Sequence, residues 1–221
     1  MTSICVLLCT IVASYFNSFQ KEAEEAVIFI AKNKSLICSI LCDLSAEEQL
    51  LAVSIVAPEI SQYSSFLNFF EQRTLFVMYL NNGNADFSVG YFQMKPSFVE
   101  DLEKKALVSK SQRERFKDII PSGSEREKRK FRLVKLTSLA GQLRYLRLFI
   151  EIVRTKTNDI EFNDRFAKLR YWATLYNSGM DLNESEVLRQ QTVNLFPKFE
   201  RKFNYSSVSV EFYYNFMNHG W

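Results

Sequence analysis

Chemistry in this chain starts from a single carboxylate at the end of an apolar run. The stretch AVSIVAPE delivers Glu59, with Pro58 and Ile60 beside it and Tyr63 and Phe66 just beyond. Apolar surroundings disfavour the ionised form of a carboxyl group and raise its pKa, so a glutamate set there can keep a proton near neutral pH and donate it. A second cluster is FSVGYFQMKPSF, residues 87–98, where Gly90, Gln93 and Pro96 punctuate an aromatic run. A proline needs no backbone donor in the first turn of a helix, so the amide of Gln93 sits where a loop, a short extended piece and a helix start meet. The third cluster is YWATLYNSG, in which Tyr176 and Asn177 precede a natural helix stop at Gly179. Each cluster also has an ordinary reading. A glutamate at a helix end is commonly a solvated charge, a turn glutamine a satisfied amide, and Tyr176 with Trp172 part of a core stripe.

The elements that would position these residues are helical. Twenty phenylalanines and ten tyrosines against six glycines and four prolines describe a ring-rich core with few turn formers. Ser45 and Glu48 predict a capping box opening a helix that runs towards Glu59, with Leu50, Val53 and 55–57 on its apolar face. Leu133, Leu136, Leu139, Leu143, Leu146, Phe149 and Val153 recur at spacings of three and four and predict one long amphipathic helix. Asn158 and Glu161 predict a second capping box, followed by the stripe Phe162, Phe166, Leu169, Trp172 and Tyr176. NNGNADFS concentrates turn formers, GYFQM looks extended, and SFVEDLEKKAL reads as a helix. SQRERFKDIIPSGSEREKRK has the charge of an exposed linker, and YSSVSVEFYYNF fits either a short strand or a final helix. The expected fold is mainly α, one domain over residues 15–221 with a short strand-like segment near 88–95.

At the N-terminus, Ile4 to Ala13 form an apolar run followed by small residues, which predicts a signal peptide over residues 1–14 and export to the periplasm or the cell exterior. No later stretch approaches the roughly 18 apolar residues of a membrane span. Cys5 and Cys9 would leave with that segment, and Cys38 and Cys42 lie one helical turn apart. With one histidine, His219, no metal-ligand pattern exists and no cofactor is expected. Residues 104–135 hold twelve Lys or Arg against four acids, leaving the remainder of the chain net acidic. Such a patch suits polyanions, but no aromatic platform is interleaved as a single-strand binder would want, so nucleic acid is not the expected partner.

The order of the three clusters resembles the lysozyme-like superfamily, in its lytic transglycosylase and goose-type lysozyme branch. Gly90, Tyr91, Phe92, Gln93 and Pro96 match the family's cleft-lining element, and Leu175, Tyr176, Asn177, Ser178 and Gly179 match its closing Ala-Tyr-Asn-Ala-Gly segment. LAGQLRYLRLFIEI, through Gly141, Tyr145 and Leu146, is similar to the helix before that segment. The resemblance covers about residues 45–180. It implies that Glu59 is the catalytic acid and that Ser88, Phe92, Gln93, Tyr176 and Asn177 contact substrate. Two departures stand out: Ile60 replaces the serine that usually follows the glutamate, leaving Ser61 or Ser64 to supply a hydroxyl, and the interval from Glu59 to Gln93 is longer than usual. The extra residues, NFFEQRTLFVMYLNN, would form a helix over the cleft and carry a rival carboxylate, Glu71.

The resemblance further implies cleavage of the β-1,4 bond between MurNAc and GlcNAc in peptidoglycan glycan strands. A glycosidase that hydrolyses normally uses two carboxylates, and Asp86, in the loop before Gly90, is the best second acid. Transglycosylation needs one, because the sugar's own 6-hydroxyl attacks the anomeric carbon. The alternatives are a non-catalytic member of the fold that binds glycan or an envelope protein, and a helical nucleic-acid binder using residues 104–135.

Overall fold

The computed structural model describes residues 14–221 apart from 64–68, 84 and 198–200, with the helical backbone alone at 69–73. The expected signal segment, except Ser14, therefore lies outside the described residues, as do Ser64 and Phe66. The described residues form α1 (Tyr15–Ser18), α2 (Gln20–Lys32), α3 (Lys34–Ile40), α4 (Ala46–Gln62), α5 (Phe69–Asn82), α6 (Pro96–Val108), α7 (Lys110–Arg115), α8 (Glu125–Leu136), α9 (Leu139–Lys156), α10 (Arg165–Ser178), α11 (Glu184–Gln190) and α12 (Tyr205–Asn218). The fold is mainly α. Its only β pairings among the described residues are the isolated bridges Val89–Met94 and Phe196–Phe203. No described helix is long and apolar enough to cross a membrane.

Helix α4 is the axis of the molecule. Its first turn is closed by the predicted capping box: the Glu48 N–H donates to Ser45 Oγ at 3.2 Å and the Ser45 N–H to Glu48 Oε2 at 3.0 Å. From Leu50 to Pro58 every residue is buried, so the helix is apolar all round, as a helix sheathed by others must be. The sheath consists of α2, α9, α10 and α12. Buried hydroxyls inside α4 find partners on their own helix: Ser54 donates to the Leu50 carbonyl at 2.7 Å and Ser61 to the Pro58 carbonyl at 2.6 Å, as polar groups out of water must.

Several boundaries differ from expectation. The predicted long helix over 133–153 is two helices, α8 and α9, broken at Thr137 and Ser138. Ser138 turns its hydroxyl to accept from the Gly141 N–H at 3.1 Å, and Gly141 lies so close to the Lys135 carbonyl that a Cβ would collide with it. Local side-chain capping here outcompetes an unbroken apolar period. The second predicted capping box, Asn158 with Glu161, does not form. Residues 157–160 form a turn after α9, and α10 begins later, with Asp164 accepting from the Ala167 N–H at 2.7 Å. The expected exposed linker contains α7 and the start of α8, where Ser124 and Glu127 make a capping box. The ambiguous C-terminal segment is a helix, α12, capped by Asn204.

The inserted segment forms a helix, α5. Its described side chains pack towards α8 and the loop before α6: Phe76 meets Phe87, and Arg129 of α8 donates to the Leu80 carbonyl. Below it, Arg132 is pinned between Glu103 (2.7 Å) and Glu100 (3.0 Å), with Tyr79 donating to Glu100 and Tyr145 to Glu103. This buried network ties α5, α6, α8 and α9 together and so sets where α6 begins.

Candidate functional site

Glu59 lies one turn before the end of α4, just after Pro58. Proline supplies no N–H to the Ser54 carbonyl four residues back, yet the helix continues to Gln62 because its neighbours bury it on all sides. Glu59 is half-buried and lines a groove. Burial pushes its pKa up to about 8, and a hydrogen bond with Tyr205 pulls the other way. Among the described residues, the titratable groups that feel its charge include Tyr15, Tyr176 and Tyr205, from α1, α10 and α12. All three phenols are raised, chiefly by burial. Tyr205 was not singled out from sequence.

The groove has two arms that meet at Glu59. One, of about 740 Å³, is lined by Asp86, Ser88, Gln93, Phe98, Tyr176 and Asn177, among others. The other, of about 380 Å³, runs past Thr174, Gln190, Leu195, Asn204 and Tyr205. Asn177 and Ser178 line both. Volumes of this size suit small-molecule or short-oligomer ligands.

The turn that carries Gln93 is held from two sides. The N–H of Phe92 donates to Gln142 Oε1 at 2.8 Å, and the carbonyl of Phe92 accepts from Tyr176 Oη at 2.7 Å. Both backbone polar groups of one residue are thus gripped by side chains from α9 and α10. Gln142 is fully buried and also donates to the Leu136 carbonyl, which ties the same turn to the α8–α9 break. Inside the turn, the Val89 N–H reaches the Met94 carbonyl at 3.0 Å, and Gln93 adopts φ +48, a left-handed conformation that a side chain disfavours. Gln93 Nε2 donates to the Gly90 carbonyl at 2.7 Å. Gly90 has φ +70 and packs against Gln142 and Leu136, leaving no space for a Cβ.

Of the residues expected from sequence, Glu59, Ser88, Gln93, Tyr176, Asn177 and Asp86 line one arm together. Phe92 requires a correction. Its ring is only 2% exposed and belongs to the core; its backbone, not its face, serves the groove, because the turn needs an apolar anchor there. The hydroxyl of Tyr176 is committed to the Phe92 carbonyl, while its ring packs edge-on against Phe98 and Phe149. Asp86 accepts from the Ser97 N–H at 3.1 Å and faces Lys95 at 3.8 Å, so it caps the start of α6. Ser61 does not stand in for a serine after the glutamate: its hydroxyl lies between the Pro58 carbonyl and Tyr15 Oη at 2.7 Å. The side chain of Glu71 lies outside the described residues. Gln142 could have been suspected, since a polar residue at the spacing of the apolar stripe Leu139, Leu143 and Leu146 needs a buried partner. For Tyr205 no signal existed while its segment fitted strand or helix.

Among the described residues no group of His, Cys, Asp and Glu is arranged to hold a metal ion. No protein-family model, no curated protein and no solved structure matches the chain.

Proposed function

We propose that this chain is an exported enzyme that cuts peptidoglycan glycan strands between MurNAc and GlcNAc, as a lytic transglycosylase. The observation that carries the reading is a half-buried carboxyl, Glu59, with its pKa pushed up to about 8 by burial, at the junction of a two-armed groove. In the first step Glu59 gives its proton to the glycosidic oxygen as the bond to the anomeric carbon breaks. In the second, the resulting carboxylate takes the proton of the sugar's 6-hydroxyl as that oxygen bonds to the same carbon, leaving a 1,6-anhydro sugar and a re-protonated acid. Ser88, Gln93 and Asn177 offer hydrogen bonds to sugar hydroxyls and acetamido groups.

Among the described residues, the other acids lining the groove are engaged, Asp101 and Asp181 with Lys105 and Asp86 at the start of α6, which favours transglycosylation over hydrolysis. A hydrolase places a second carboxylate across the scissile bond, whereas Asp86 is held by Ser97 and Lys95 at the start of α6. Digestion of purified sacculi tests this. Anhydro-ended muropeptides are expected, and Glu59→Gln should abolish them. Reducing ends would replace transglycosylation by hydrolysis. Intact sacculi that still retain the protein would favour the second reading, a glycan-binding or envelope-protein-binding module; its support is Ile60 after the glutamate and the engagement of Ser61 elsewhere.

A further inference from the structure

Glu211 of α12 faces the start of the described chain. Its Oε1 accepts from the Tyr15 N–H at 3.0 Å, while its Oε2 accepts from the Ser14 hydroxyl at 2.6 Å and from the Phe16 N–H at 3.2 Å. Three neutral donors from consecutive residues converge on one carboxylate. Arg170, Arg201 and Lys202 line an open groove with Glu211. Of these, Arg170 donates to Ser207 Oγ and Lys202 to the Pro197 carbonyl, and Arg201 lies over the Phe203 ring. The boundary of burial falls at the same place, since Tyr15 is fully buried and Ser14 only half. The Tyr15 ring packs among Phe19, Phe196, Phe203 and Phe212. Its hydroxyl meets Ser61 Oγ and the Gln62 amide, each at 2.7 Å, just beyond Glu59 on α4. Tyr15 therefore ties α12 to the end of α4 through its own atoms.

We propose that the chain is cut between Ser14 and Tyr15 and that the new α-ammonium of Tyr15 pairs with Glu211, which locks the processed N-terminus onto the last helix. The cut rests on the export of the chain proposed above. Ala13 and Ser14 are small residues of the kind a leader peptidase accepts before its cleavage point. Water adds across the peptide bond: the Ser14 carbonyl carbon takes the oxygen and departs as a carboxylate, and the Tyr15 nitrogen takes both hydrogens and becomes an ammonium. That nitrogen then carries three hydrogens where the amide had one. One stays on Oε1 and a second replaces the departed Ser14 hydroxyl at Oε2, while the Phe16 N–H keeps its place. A carboxylate held by neutral donors so gains its counter-ion, in hydrogen bonds about twice as strong as neutral ones. The Ser18 N–H gives up the Ser14 carbonyl and, being exposed, turns to water.

N-terminal sequencing and intact mass of the protein collected from an exporting bacterial host give its first residue. Tyr15 is expected; any other first residue, or an uncut chain, overturns the proposal. The pairing is read by urea unfolding of Glu211→Gln in two forms, the processed chain and one that keeps Ala13 and Ser14 ahead of Tyr15. The substitution should lower the folding constant about tenfold more in the processed chain, which alone loses an ion pair. Equal losses overturn it. An NMR titration of the processed, unaltered protein labelled with ¹⁵N-tyrosine needs no variant to fold. The Tyr15 ammonium should titrate about one pH unit above the ordinary α-amine value near 8, because a carboxylate partner raises it whereas burial alone would lower it. A midpoint at or below that value overturns the pair. Sacculus digestion separates this pairing from the enzyme: a chain that begins at Tyr15 with a raised midpoint and leaves sacculi whole keeps the ion pair and removes the enzyme. Digestion by a chain with a different first residue does the reverse.

Discussion

Replacing Glu59 with glutamine should make the protein more stable, and increasingly so as pH rises. The carboxyl titrates near 4.5 in an unfolded chain and at about 8 in the folded one. Between those values the folded protein holds a proton that the unfolded chain has released, so stability falls as pH climbs from 4.5 through 8 and is level on either side. Each pH unit of that gap is worth about 1.4 kcal/mol, which sets an upper bound near 5 kcal/mol; the side chain's opening to the groove brings the expected penalty to about 3 kcal/mol at pH 9. Glutamine has no charge to bury. Urea unfolding followed by circular dichroism at pH 4, 6.5 and 9 measures the difference, in which all other titrations cancel. The two proteins should agree within about 1 kcal/mol at pH 4 and diverge progressively above it. A difference independent of pH, or a less stable variant at pH 9, would refute the claim that Glu59 is held neutral by its surroundings.

Other consequences follow from the clamp on the Gln93 turn. Gly90→Ala should destabilise by about 2 kcal/mol or more, because the added carbon meets the Gln142 amide and the Leu136 carbonyl at a backbone angle only glycine favours; thermal unfolding reports it. Gln142→Ala strands a buried N–H and a carbonyl together and should lose about 2–3 kcal/mol, with faster amide exchange at Phe92. Tyr176→Phe frees only the Phe92 carbonyl, so a loss of about 1 kcal/mol is expected, together with weaker glycan retention from a loosened turn. Arg132→Ala leaves Glu103 buried without its cation and should lose about 3–5 kcal/mol, whereas Arg132→Met paired with Glu103→Leu should recover most of it. Chemical denaturation of the single and double variants distinguishes the two outcomes.

The parts of this molecule that sequence made legible are those written locally. The Ser45–Glu48 box, the proline at the start of α6 and the glycine after α10 each act within one turn, and each stands where the pattern put it. The break between α8 and α9 was hidden because an apolar period does not register a serine cap or a glycine pressed on a neighbouring carbonyl. Within the site, Glu59, Gln93 and Tyr176 were visible as odd residues in telling places. Tyr205 and Gln142 were not, because their importance lies in what they touch: Tyr205 reaches across 150 residues to Ile55, and Gln142 across 50 to Phe92. Phe92 was misjudged for the same reason, its aromatic ring suggesting a surface when the ring is core and its backbone is what Gln142 and Tyr176 hold.

The groups that surround Glu59 are far apart in sequence, Tyr15 in α1, Tyr176 in α10 and Tyr205 in α12. Contacts so far apart along a chain close late in folding. Until those segments meet, Glu59 lacks the burial that raises its pKa and titrates as a carboxyl of an open chain does.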